Sequence, residues 1–159
     1  MKRIAILLAA TALSACSAAG DKLQAAPPPL HSRMLVLDTH LDTPLHFERQ
    51  GWNFADRHDL ATDLSQLDIP RMRDGNLDGG FFAIYTEQGP LTPAGYAAAL
   101  AHARKRSDLI DKMIADNSGV IGAARTADDA RRLNKEGKLV AFKSMENSYP
   151  LGEDRKSVV

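Results

Sequence analysis

The chain of 159 residues has one cysteine, Cys16, so neither an intrachain disulfide nor a zinc–thiolate cluster can form within it. It also lacks an excess of either charge, because 20 Lys and Arg balance 20 Asp and Glu. With no basic stripe among those charges, nucleic acid is not an expected partner. There is no internal repeat of fixed period, and no low-complexity tract follows Pro27-Pro28-Pro29. Long apolar runs are missing too. The N-terminal run, residues 4–13, is too short to span a bilayer.

That run instead has the proportions of a signal-peptide core, preceded by the basic Lys2 and Arg3. It leads into Leu13-Ser14-Ala15-Cys16, which resembles the lipobox of bacterial lipoproteins. The resemblance implies that residues 1–15 are removed and that Cys16 carries the lipid that anchors the protein to a membrane. Ser17, rather than Asp, follows the cysteine, which implies the outer membrane, facing the periplasm of a Gram-negative bacterium. An ordinary signal peptide with an incidental cysteine is the alternative. Loss of residues 1–15 removes two basic residues and no acidic one, leaving 18 against 20. Residues 16–33, rich in small residues and proline, read as an extended tether, and the folded part is expected over residues 34–159.

Within that part the elements alternate. Met34-Leu35-Val36-Leu37 reads as a buried strand. Residues 47–61 read as loop, and Asp68 as the cap of a short helix with Pro70 in its first turn and Gly75 after its end. Gly79-Gly80-Phe81-Phe82-Ala83-Ile84-Tyr85 reads as a second strand, apolar enough to be covered on both faces. Thr92 and Pro93 open a long helix whose apolar face is Tyr96, Ala99, Leu100, Ala103, Ile110, Met113 and Ile114. Its charged residues, Arg104, Lys105, Arg106, Asp108, Asp111 and Lys112, read as a solvated outer face. Thr126, Asp128 and Asp129 start a further helix that Gly137 closes, and residues 139–145 form a third strand. This is an α/β pattern with parallel strands joined by crossovers.

In such folds ligands gather at the carboxyl ends of the strands. His40 and Asp42 sit there after the first strand, and Glu146 after the third. Residues i and i+2 of a strand project to one side, so the His-x-Asp pair offers an imidazole and a carboxylate together, a ligand set suited to a hydrolytic zinc ion. A polar strand end with no ligand is the plainer alternative. His31, His46, His58 and His102 lack ligand spacing and read as surface residues or helix filler. Asp63, Asp68 and Asp78 read as caps and turns, and Trp52 as core packing. Tyr149, though near Glu146, carries no assigned chemistry.

Taken in order, Asp38-Thr39-His40-Leu41-Asp42-Thr43-Pro44, residues 67–75 running into Gly79-Gly80-Phe81-Phe82, Met145-Glu146-Asn147 and Pro150-Leu151-Gly152 resemble the membrane (renal-type) dipeptidase family of zinc peptidases. The resemblance runs from about Met34 to about Asp154. It implies the N-terminal portion, about three strand–helix units, of a (β/α)₈ TIM-type barrel. It implies two zinc ions, one bound by His40 and Asp42, with Glu146 bridging both, and hydrolysis of a dipeptide by a metal-activated hydroxide.

The family pattern also needs two His ligands for the second zinc, a substrate-contacting His and Arg, and a proton-moving Asp. None of these has a counterpart here, and a closed barrel takes about 250 residues. Residues 155–159 do not resemble what should follow Glu153-Asp154. A truncated, frameshifted or fragmentary chain is therefore expected, with little or no turnover alone and possible homo-oligomers only at full length. Two other readings stay open. One is a different metal-dependent amidohydrolase, although those barrels more often begin with His-x-His. The other is a non-catalytic lipoprotein remnant.

Overall fold

The computed structural model describes residues 29–153, so Cys16 and the signal-peptide and lipobox readings lie outside the described residues. Four parallel strands form one sheet: β1 (Leu37–Leu41), β2 (Gly79–Ile84), β3 (Ile121–Ala123) and β4 (Leu139–Met145), in the order β1-β2-β4-β3. The helices are α1 (Leu60–Asp63), α2 (Ile69–Asp74), α3 (Pro93–Asp116) and α4 (Ala127–Lys135). No helix among the described residues is long and apolar enough to cross a membrane.

The strand order dictates where the helices go. From β2 the chain passes through α3 to β3, skipping a place in the sheet, and then steps back through α4 to β4. Parallel crossovers are right-handed, so a reversal of direction moves the helix to the other face. The core divides accordingly. Phe82, Ile84, Leu139 and Ala141 pack with Ala103, Ile110 and Met113 of α3, whereas Val140 packs with Ala130 and Leu133 of α4. Successive residues of β4 thus serve opposite faces, as the pleat requires. Phe81 and Phe142 occupy paired positions and stack at 4.6 Å, joining β2 to β4.

Three elements differ from the sequence reading. The first strand begins at Leu37 rather than Met34 and takes in the polar Asp38-Thr39-His40. Its partner explains the shift. A Cβ on Gly80 would lie 2.7 Å from the Asp38 carbonyl and 2.6 Å from Leu41 Cδ1, so the close approach of β1 at Asp38 needs a glycine there. Ile121–Ala123 is an additional strand, too short to show any periodicity, and it pairs only with Leu139–Ala141. β1, β2 and β4 are therefore the successive neighbours that the first barrel strands should be, with β3 added at the edge. The third difference is α1, a single turn capped by Asp59 that begins at the end of the expected loop.

The helix ends follow the sequence. Thr92 accepts from the Gly95 N–H ahead of Pro93, and Thr126 and Asp129 form a reciprocal capping box. Residues 31–33, at the end of the expected tether, make a 3₁₀ turn, and His31 Nε2 lies 3.0 Å from the Gly75 carbonyl oxygen.

Candidate metal centre

His40 is the fourth residue of β1 and sits inside the strand rather than beyond it. Asp42 has already left the strand, with φ −83° and ψ 2°, and is the N-cap of a 3₁₀ turn, Thr43–His46. The strand rule for i and i+2 therefore does not bring these two together; the bend into the turn does. Asp42 makes no side-chain cap bond to its own turn. Its carboxylate faces His40 instead, with Oδ1 3.2 Å from Nε2.

Glu146 follows β4 directly, two places across the sheet from β1. Its N–H reaches back to the Ile84 carbonyl at 3.4 Å, which extends the β2–β4 ladder past its last pair. Next to it, Asn147 donates to the Thr86 carbonyl at 2.7 Å and accepts from the Tyr149 N–H at 3.1 Å. Tyr149 is buried, and its hydroxyl donates to the Pro90 carbonyl at 2.8 Å. This framework aims Glu146 Oε2 to within 3.5 Å of His40 Nε2.

One ligand atom from each of His40, Asp42 and Glu146 lies within 4.8 Å of the other two. Their side chains are 46, 58 and 34 % exposed, so an ion and a substrate can approach from solvent. The donor set, one imidazole nitrogen and two carboxylates, fits zinc and leaves coordination positions open for water or substrate. At this open strand end two carboxylates face one imidazole nitrogen, which can donate to no more than one of them at a time.

A cleft of about 360 Å³ opens beside His40 and Asp42, walled by Leu45, His46, Leu64, Gln66 and Leu67. Burial pushes the His46 imidazole below its usual range, and the nearby Arg49 charge adds to the effect. Leu64 holds a left-handed φ of 62° as the C-cap of α1 and is exposed over the cleft. A larger cavity, about 770 Å³, lies between β4 and the start of α4. It contains none of the three ligand candidates, and most of its wall is apolar.

The loop behind the cleft is held by Trp52, His58, Asp63 and Ser65. His58 is not at the surface. It stacks on Trp52 at 4.5 Å, with Nδ1 2.5 Å from Asp63 Oδ2 and Nε2 2.8 Å from the Asn53 carbonyl oxygen. Partial burial acts to raise the Asp63 carboxyl, but bonds from the Ser65 hydroxyl and N–H and from His58 outweigh it and bring it down to about 2. Trp52 packs against the core as expected and donates to Ser65 Oγ at 2.8 Å. Arg106 departs most from its expected place, since it is buried beneath the 3₁₀ turn rather than on the outer face of α3. Among the described residues, His46 Nδ1, Thr86 Oγ1 and Arg106 Nε are buried without a partner.

The sequence pattern of the membrane dipeptidase family (peptidase family M19) matches residues 25–159. The crystal structure of the probable dipeptidase PvdM from Pseudomonas aeruginosa superposes with a TM-score of 0.67 at 31% identity, covering 80% of this chain and 32% of that one. Dipeptidase AC, a metallopeptidase of family M19, gives a TM-score of 0.64 at 28% identity, covering 79% of this chain and 38% of that one. The dipeptidase ataJ of Aspergillus terreus (strain NIH 2624 / FGSC A1156) is 23% identical over 124 residues, which are 75% of this chain and 30% of that protein. The chain thus spans about a third of the length of these relatives, and the parallel α/β sheet is a portion of their TIM-type barrel. On the match across residues 25–159, the chain belongs to the membrane dipeptidase family, peptidase family M19.

Proposed function

We propose that this chain supplies part of the metal centre of a zinc-dependent dipeptidase, with His40, Asp42 and Glu146 as ligands. The observation that carries this reading is the convergence of three ligand atoms within 4.8 Å from two strands that are not sheet neighbours. When bound, a pair of zinc ions would acidify a water molecule and polarise the scissile carbonyl.

The chain's own residues have separable roles. His40, Asp42 and Glu146 would hold the metal, His40 through an imidazole nitrogen and Asp42 and Glu146 through their carboxylates. The cleft beside them, apolar at Leu45, Leu64 and Leu67 and polar at Gln66 and His46, is suited to a small peptide with an apolar side chain. No protein nucleophile is required, in keeping with the lack of a cysteine among residues 34–159.

Zinc titration of the purified protein against a competing chelator tests the reading. Binding by the wild type and its loss in H40A and E146A are the expected results. Undiminished zinc binding by both variants would refute it. We further propose lipid anchoring through Cys16 at the outer membrane, facing the periplasm. Sedimentation with membranes should be lost in C16A, and its persistence there would exclude this anchor.

A further inference from the structure

We infer that Arg106, on α3, is a positioning residue that holds the metal-ligand turn in place and so sets the orientation of Asp42. The inference rests on the metal-centre reading above.

Arg106 is 6 % exposed, whereas Arg104, Lys105, Asp108, Asp111, Lys112 and Asp116 of the same helix are all exposed. Its Nη1 donates to the Pro44 carbonyl at 2.5 Å, across 62 positions of sequence. Nη2 lies 3.5 Å from Glu48 Oε1, and Lys105 fastens the same carboxylate at 2.7 Å. Pro44 and Thr43 are buried within the 3₁₀ turn whose N-cap is Asp42, and the Asp42 carbonyl accepts from the Leu45 N–H at 3.0 Å. Helix α3 therefore grips the turn two residues after Asp42 and holds the chain again at Glu48, two residues beyond the turn.

The need for such a grip follows from Asp42 itself. Its carboxylate has no capping bond, and its one polar contact with protein among the described residues is His40. Apart from His40, the backbone of the turn is what sets where that carboxylate points. A guanidinium is a costly way to pack a helix. Burying the charge carries a large desolvation penalty, and an apolar residue of similar volume often does as well or better for stability. The bond to Pro44 gives this charge a use that packing does not explain, because it locks the backbone that carries the ligand.

Residues that orient metal ligands typically affect metal affinity by 10–100-fold. Acting through one backbone carbonyl, Arg106 should lie near the lower end. The test uses the whole protein with zinc for affinity, by chelator competition, and cobalt(II) for the absorption spectrum. R106M should bind zinc about tenfold more weakly than wild type, with an altered cobalt spectrum and little change in metal-free melting temperature. R106K keeps a donor for the Pro44 carbonyl and should recover most of the affinity. Should R106M not fold, R106Q, too short to reach that carbonyl, takes its place with the same expected loss.

Wild-type affinity and an unchanged cobalt spectrum in R106M or R106Q would overturn the inference. So would an equal loss in R106K. H40A separates the two claims. If it abolishes zinc binding while R106M binds normally, only the role of Arg106 fails; if H40A itself binds normally, the metal centre fails.

Discussion

Asp42 and Asp68 both stand at the N-cap of a helical turn, and their surroundings are opposite. Asp68 is fully buried and accepts four hydrogen bonds: from the N–H groups of His58 and Arg71, at 2.8 and 2.7 Å, and from the Arg71 guanidinium at 2.6 Å, with the backbone N–H of Met72 reaching its carbonyl at 2.9 Å. Burial alone would raise its carboxyl, but those donors outweigh burial and hold it below the usual carboxylate range. Asp42 is exposed, caps nothing with its side chain, and faces an imidazole and a second carboxylate. A buried carboxylate held by three donors belongs to the scaffold. One that leaves its own turn uncapped to join other acceptors at a strand end is available to a cation.

The comparison predicts opposite responses to the same kind of substitution. Removing Asp68 leaves Arg71 half-buried without its partner and strips the cap from α2. D68A should lower unfolding free energy by about 3–5 kcal/mol in urea titrations. D42A should change metal-free stability by no more than about 0.5 kcal/mol, as exposed substitutions do, while weakening zinc binding. Equal stability losses in the two variants would remove the distinction.

Crowding at β1 should give the next largest effect. G80A places a Cβ against the Asp38 carbonyl and Leu41, in the strand that carries His40, and should cost about 1–3 kcal/mol. Because the strain falls on β1, zinc affinity should drop along with stability, which D68A need not cause. Far from the site, T126A should cost about 1 kcal/mol through its broken capping box and leave zinc affinity alone.

The smallest effect concerns acid. Asp63 in the wall behind the cleft and Asp129 in the capping box both titrate at about 2, the latter through bonds from the Arg125 N–H and the Thr126 hydroxyl and N–H. Their folded values lie below the ordinary 3.8, so each contributes stability that is complete above that value and lost as the pH falls toward 2. D63N should flatten the acid limb of a melting-temperature profile between about pH 4 and pH 2. A limb of unchanged slope would show that His58 and Ser65 contribute nothing there.

What could be read from sequence divides along the same line as local and distant causes. Thr92-Pro93, Thr126 with Asp129, and Asp68 ahead of Pro70 place helix starts because a cap is satisfied within three residues. β2 and β4 were legible from their apolar runs. The start of β1 was not, since it depends on a close approach to Gly80, about forty positions away. β3 was too short to carry a pattern. His40, Asp42 and Glu146 could be singled out as residues at the ends of parallel strands, but the bend that turns Asp42 toward His40 could not. Arg106 looked like one of several helix charges. Its partner is the Pro44 carbonyl, and a backbone acceptor leaves no mark in a sequence.

Anomalous diffraction at the zinc edge from zinc-soaked crystals of the protein tests the central claim most directly. A peak about 2.0–2.2 Å from His40 Nε2 and from carboxylate oxygens of Asp42 and Glu146 is the predicted result. Zinc bound elsewhere, with that position empty, would contradict it.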